Sequence, residues 1–417
     1  MADLIKYDNG LRLIVQNIPF VRSIAAGVWV GTGSSMESKA NNGISHYIEH
    51  VMFKGTDTMS AYDIAHAFES RGAAVNAFTS KEATCFYFKS IDSDAEKCFS
   101  TLGDLLFRSA FPKNELDSER NVVLEEINME DDSPEDICYD LLATALYGDD
   151  PLGMPVLGTR ENVGRFDKSE ITKYIGEQYC AESIVIAFAG NIDALAADKM
   201  VRKYFLPFVN AKKQKSIEKK APLSVTTKTF IKDFKQTNLM LAFPSIPFGD
   251  SLSTVQAVLN VILGGCMGSR LFQNIREKKG LAYSVYSAPS RYVYNGSMNI
   301  ALNINSQNTA RVLEGVFEEL DSLTTDGVSA AELDMAKAQL KSTMIFGQEN
   351  VQAIMMSLGK SLLLAGEVFD IDEKLREVEA VTVDEVNKMA KETFRQRPAL
   401  AYVGSECGVD FEIYTRR

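Results

Sequence analysis

The chain has 417 residues, 46% of them hydrophobic and 24% charged, which is apolar enough for a large core and long enough for two domains. A formal net charge of -12 argues against a nucleic-acid partner and for neutral or basic ligands. No run approaches the length of a membrane span, and Met1 to Gly10 lack the charged head and apolar stretch of a secretory signal, so the expected compartment is the cytoplasm. Cys85, Cys98, Cys138, Cys180, Cys266 and Cys407 are scattered with no Cys-x-x-Cys pair, which suits reduced thiols.

In chain order, alternating apolar residues predict strands over 11–16 and 23–30. After Asn41-Asn42-Gly43 a helix is expected, and it carries His46-Tyr47-Ile48-Glu49-His50, with two of the chain's three histidines. Residues at i, i+3 and i+4 share one helix face, so both imidazoles and the carboxylate point at the same small volume. The order His-x-x-Glu-His reverses the commoner His-Glu-x-x-His and marks the inverted zinc peptidases. The plainer reading, two surface histidines on a helix, leaves that order to chance.

Helical spacing resumes over 60–70. His66 sits there with no second ligand in reach by spacing and is read as no part of a metal site. Strands are predicted over 74–79 and 84–90 and helices over 95–108 and 115–129, which makes the class α+β with mostly antiparallel sheet. A catalytic zinc takes three protein ligands and keeps one position open, so a further ligand must come from another element. The helix at 115–129 offers Glu119, Glu125 and Glu126, with Glu130 just beyond; Glu119 and Glu126, seven apart, share a face. On the residues alone the choice stays open, as does a merely solvated acidic face. The acidic run Glu130 to Asp136, followed by Asp140, reads as a solvated turn.

At 212–225 lysines cluster around Pro222 without apolar periodicity, which suits a linker between an N-terminal domain, 1–211, and a C-terminal one, 226–417. A long polar loop within one domain is the alternative, and an internal echo weakens it. Glu115-Leu116-Asp117 falls onto Glu332-Leu333-Asp334, and Gly72-Ala73-Ala74-Val75-Asn76 falls near Gly280-Leu281-Ala282-Tyr283-Ser284. In that alignment Glu119 and Glu126 meet Ala336 and Thr343, and the second half has no histidine, so of two homologous tandem domains only the first can hold a metal. The glycine-rich stretch Leu263 to Ser269 lacks the lysine of a phosphate loop.

The text Gly43-Ile44-Ser45-His46-Tyr47-Ile48-Glu49-His50-Val51-Met52-Phe53-Lys54-Gly55-Thr56 resembles the signature of the pitrilysin or insulinase family, in its short two-domain branch, which includes the mitochondrial-processing peptidases and bacterial homologues. The distance from His50 to Glu126 fits the family's glutamate ligand, so the resemblance implies a zinc ion held by His46, His50 and Glu126, with Glu119 as the acid that supports the site. Zinc lowers the pKa of its bound water toward about 7. Glu49 is then the group that accepts the water's proton and delivers it to the leaving amine. Asn76-Ala77-Phe78-Thr79 resembles the family's edge strand, which receives an extended peptide as an added strand; an ordinary hairpin strand with a buried Phe78 is the reading without the resemblance.

In the second half, Arg276 and Tyr283 match the family's arginine and tyrosine pair, spaced seven apart, which reaches the site from the opposing half of a closed chamber. Asp136 and Asp140 fall where the mitochondrial-processing branch carries acids that contact a substrate arginine. One chain holds both the zinc motif and the arginine and tyrosine pair, which implies a homodimer enclosing a chamber for short or unfolded peptides; a metal-free homologous partner chain is the alternative. Leu263 to Ser269 resembles a family Gly-Gly-Gly-Met-Ser-Ser turn, with Cys266 and Gly268 as departures. The expected activity is zinc-dependent endopeptidase. A non-catalytic peptide-binding chamber or an assembly subunit of the same fold is the rival.

Overall fold

The computed structural model describes residues 2–209 and 220–416. Strands form where apolar residues alternate or run together, and they build two sheets. The first has six strands, β1 (Asp3–Lys6), β2 (Arg12–Asn17), β3 (Ser23–Val30), β4 (Ala74–Thr79), β5 (Thr84–Ile91) and β6 (Ile184–Gly190), in the order β1-β2-β6-β3-β5-β4. The second has five, β7 (Thr227–Ile231), β8 (Thr237–Ser245), β9 (Ala282–Arg291), β10 (Gly296–Ile304) and β11 (Ala399–Gly404), in the order β7-β11-β8-β10-β9.

With β1 set aside, the two sheets obey one rule. The first strand of each set pairs parallel with the last, and every other pairing is antiparallel. The expected antiparallel sheets are therefore each mixed by one parallel pair. The edge strands β4 and β9 are counterparts, and each follows a glycine in the left-handed region, Gly72 at φ 62° and Gly280 at φ 60°. The duplication read from the sequence is thus visible in backbone conformation and in strand order.

The helices of the first half begin with α1 (Ile44–Met52), α2 (Ala61–Glu69), α3 (Ala95–Arg108), α4 (Lys113–Asp132) and α5 (Pro134–Tyr147). In β6 every residue of Ile-Val-Ile-Ala-Phe-Ala-Gly is buried, because both faces of its sheet are covered. Ile184, Ile186 and Phe188 join a core with α1, α3 and α4, whereas Val185, Ala187 and Ala189 face Val351, Ile354, Met355, Leu358 and Leu362. Those last five lie on the helix Val351–Leu364, from the second half of the chain.

The second sheet repeats the arrangement. Leu239, Leu241, Ile300 and Tyr402 face one core, while Met240, Ala242, Ala401 and Val403 face Cys138, Leu142, Ala145 and Leu146 of α5. Each half of the chain therefore lends one helix to the other half's sheet. Among the described residues, one compact unit comprises 2–127, 154–209 and 346–370 and the other 128–153, 220–345 and 371–416. This differs from the contiguous domains expected, 1–211 and 226–417, and the reason is the second apolar face that each sheet must bury. Of the linker read at 212–225, residues 212–219 lie outside the described residues; Ala221 is buried and exchanges two hydrogen bonds with the Asn295 side chain, at 2.8 and 3.0 Å.

The exchanged helix Val351–Leu364 approaches its sheet closely at Gly359, where a Cβ would lie 2.1 Å from Nε1 of Trp29. In an open helix Gly→Ala gains roughly 1 kcal/mol, but overpacking of a core costs about 1–3 kcal/mol, and a whole indole edge stands in the way. Gly359→Ala should therefore lower unfolding stability by about 1–2 kcal/mol, read as an earlier denaturant midpoint from the fluorescence of Trp29, the chain's single tryptophan. An unchanged or later midpoint would refute the packing argument.

Candidate metal centre

The helix α1 turns its apolar side chains, Tyr47, Ile48, Val51 and Met52, into the core. Its remaining face carries His46, Glu49 and His50. The helix start is fixed from outside. Gly43, at φ 97°, is the N-cap, and a Cβ there would meet the Leu157 carbonyl oxygen at 2.6 Å. The buried Glu37 carboxylate accepts the Gly43 N–H at 2.7 Å, the Ser45 N–H at 2.8 Å and the Asn42 side-chain N–H at 3.0 Å. A carboxylate on the free amides of a helix N-terminus satisfies them and complements the dipole.

The second wall is α4. Leu116, Val123 and Ile127 bury one stripe of it, and the Tyr47 hydroxyl donates to the Leu116 carbonyl at 2.7 Å, tying α4 to α1. Glu119 and Glu126, two turns apart, then face the imidazoles. Glu126 Oε2 lies 3.3 Å from His50 Nε2 and 3.7 Å from His46 Nε2. Glu119 Oε1 lies 2.9 Å from His50 Nδ1, and its Oε2 lies 2.6 Å from Lys54 Nζ.

His46, His50 and Glu126 each offer one donor atom within 4.8 Å of the others, and among the described residues this is the one such cluster. Glu126 Oε2, the oxygen that faces both Nε2 atoms, is buried without a hydrogen-bond partner. An unpaired buried polar atom is costly, and a cation beside it answers that cost. Two imidazoles and a carboxylate are a donor set suited to zinc. The donor set thus fits the metal that the motif suggests.

Electrostatics sharpen the roles. Burial pushes the Glu119 carboxyl up, but the bonds from His50 and Lys54 outweigh it and hold the group below the usual carboxylate range. Ionised Glu119 therefore accepts from His50 Nδ1–H, which leaves Nε2 for a metal. The neighbouring His50, opposed by burial, likewise holds Glu126 low. Burial moves His46 down to about 4. For Glu49, burial is the larger effect and raises its pKa, with the Thr79 hydroxyl pulling the other way.

Strand β4, expected to hold peptide, is an edge of its sheet. Asn76 Oδ1 accepts the N–H of Ala77 at 2.8 Å, and Thr79 Oγ1 donates to Glu49 Oε2 at 2.6 Å. Phe78 is half-buried and stands edge-on to Trp29, with ring centroids 5.5 Å apart, so it also serves as packing. The structure thus gathers His46, Glu49, His50, Glu119, Glu126 and β4 in one unit.

The other candidates belong to the second unit. Arg276 lies in a π-helical stretch, Phe272–Lys278, with its guanidinium 4.7 Å from the Phe272 ring centre, and Tyr283 is exposed on the edge strand β9. Asp136 and Asp140 lie one turn apart on α5, in a helix and not in the solvated turn that the acidic run by itself suggests; Ser133 caps that helix. Gly264 packs against β9, where a Cβ would meet the Ser287 amide at 2.5 Å, so the glycine-rich turn has a steric reason. His66 is exposed on α2 and stacks on Tyr62. All six cysteines are free thiols. Among the described residues, no helix is long and apolar enough to cross a membrane.

Two residues of the centre escaped sequence reading. Glu37 looks like a surface acid between Met36 and Ser38, and nothing in its spacing points to α1. Lys54 stands four residues after His50, a spacing that could have suggested it as the partner of Glu119.

Residues 12–160 match the family model for insulinase (peptidase family M16), and residues 165–340 match that of the peptidase M16 inactive domain. An uncharacterized zinc protease of Bacillus subtilis is 42% identical over 95% of this chain and 96% of that one. Another, from Mycobacterium leprae, is 36% identical over 95% of this chain and 90% of that one. Among solved structures, a peptidase M16 inactive domain from Pseudomonas fluorescens superimposes with a TM-score of 0.91 at 20% identity, covering 97% of this chain and 98% of that one. A Helicobacter pylori protease gives 0.89, also at 20% identity, over 97% of this chain and 99% of that one. At that identity the two structures speak for the fold alone. The family models and the near full-length relatives carry more: the chain belongs to the insulinase family of M16 peptidases, as two tandem domains of that family.

Proposed function

We propose that the protein is a zinc-dependent endopeptidase acting on short or unfolded peptides. The observation that carries this reading is the convergence of His46, His50 and Glu126 donors beside a carboxylate, Glu49, that is no part of the donor set. The zinc proteases among the relatives agree with it. Bound there, zinc would supply Lewis acidity toward a peptide carbonyl and acidify water.

The chain's own residues do the rest. Glu49 takes a proton from the attacking water; the oxygen bonds to the carbonyl carbon, the C–N bond breaks, and Glu49 returns the proton to the departing amine nitrogen. Glu119 holds the His50 ring through Nδ1 and is in turn held by Lys54. The free edge of β4 binds substrate as an added strand through backbone hydrogen bonds, which favours extended peptides over side-chain identity. Asn76 and Ala77 line that edge.

Further parts of the reading extend to the second unit. Tyr283 stabilises the developing oxyanion and Arg276 holds substrate backbone. Asp136 and Asp140 favour basic residues near the cut. The protein works as a cytoplasmic homodimer, an inference supported by one chain holding both the metal donors and the Arg276 and Tyr283 pair.

Glu49→Gln should retain zinc and lose at least about 100-fold in turnover, because the amide cannot accept the proton. The check is mass spectrometry of a mixed peptide library, with wild type, wild type plus chelator, and the variant. Cuts that survive the chelator would end the zinc reading, and no cuts from zinc-loaded wild type would shift it to a metal-free partner chain or a binding role. Glu119→Gln should weaken zinc binding by about 10- to 100-fold, measured by competition with a chromophoric chelator; unchanged affinity would remove Glu119 from the site.

A further inference from the structure

We propose that Thr79 is a positioning residue for the general base: its hydroxyl fixes the Glu49 carboxylate in the orientation from which it takes and returns the proton. One strand then both receives substrate and aims the base. The inference rests on the peptidase reading of the site.

The geometry is specific. Thr79 Oγ1 donates to Glu49 Oε2 at 2.6 Å, which leaves Oε1 as the oxygen that exchanges the proton. A glutamate side chain has several free torsions and loses rotamer freedom when it is held. Threonine is branched at Cβ and stiff at χ1, so it makes a better anchor than a flexible donor.

The anchor is itself held. Thr79 is the last residue of β4 and pairs with Thr84, and the turn beyond closes through the Ser80 N–H to the Ala83 carbonyl at 2.8 Å. The tip of that turn is gripped by a second segment: Ser34 N–H reaches the Ser80 carbonyl at 3.3 Å and Ser35 N–H the Lys81 carbonyl at 2.7 Å. At Gly33 a Cβ would lie 2.0 Å from the Ser80 carbonyl oxygen, so only glycine allows the approach.

The same segment ends in Glu37, which holds the Gly43 and Ser45 amides at the start of α1. Residues 33–37 therefore reference both partners of the Thr79–Glu49 bond, the strand end with the donor and the helix with the acceptor. A hydroxyl needed only to satisfy a strand end has no use for that common frame.

The two roles differ in what is lost. Zinc-loaded wild type, Thr79→Val and Thr79→Ser are compared on a peptide that wild type cleaves, with zinc content measured for each and a crystal structure of metal-free Thr79→Val. Misaiming a catalytic group costs up to about 100-fold, so Thr79→Val should lose about 10- to 100-fold in kcat with KM and zinc content near wild type. Thr79→Ser should recover most of that loss, and the Glu49 carboxylate should leave its place in the Thr79→Val structure.

A kcat of Thr79→Val within about twofold of wild type, a serine variant no better than valine, or a loss borne by KM or zinc content would each overturn the proposal. If wild type cleaves nothing, the reading as a stand-alone peptidase fails by itself. The crystal structure then decides alone, and an unmoved Glu49 carboxylate overturns the positioning role.

Discussion

The bond between Glu119 and His50 is the interaction on which the metal centre depends. Glu119 is only 5% exposed, and an ionised carboxylate so deep is tolerated only when both its oxygens are engaged. One oxygen meets His50 and the other Lys54, so a single buried charge joins the metal helix to its neighbour and selects which imidazole nitrogen faces the cluster. The packing of Leu116, Val123 and Ile127 then sets where Glu126 stands, two turns further along.

The duplicated half shows what such a charge entails. In the internal alignment the position of Glu119 is taken by Ala336, which is fully buried, and that of Glu126 by Thr343, which is exposed. Burial at the first position is therefore common to both copies, and only the copy with imidazoles and a lysine to pair with it carries an acid. The shared strand order gives both halves an edge strand in the same place, β4 and β9, and β4 ends in Thr79, which donates to the Glu49 carboxylate.

Much of this was legible because local patterns decided it. The strand at 23–30 and the helix at 95–108 were read to the residue, since alternation or helical spacing ran unbroken between turn residues. The zinc motif and the face shared by Glu119 and Glu126 needed only helix periodicity. What stayed hidden involves distant partners. Neither α5 nor the helix Val351–Leu364 is among the elements expected from the sequence, and the sheet that each covers has no local mark. The parallel pairing of β2 with β6 joins strands far apart in sequence and has no local mark. Glu37 is an acid whose meaning comes only from the amides it meets, and nothing in the residues around Arg276 marks a π-helical stretch.

The reciprocal loan of helices bears on how the chain is made. During synthesis β6 completes the first sheet long before Val351–Leu364 leaves the ribosome, so the face of Trp29, Val185 and Ala187 stays uncovered until then. The α5 helix emerges before β8 and β11, which will bury its own apolar stripe. Neither half can finish folding alone, and a nascent chain that stalls between them presents a bare apolar sheet to chaperones or to another such chain. The cover that completes each sheet in the finished protein is thus also its point of exposure during birth.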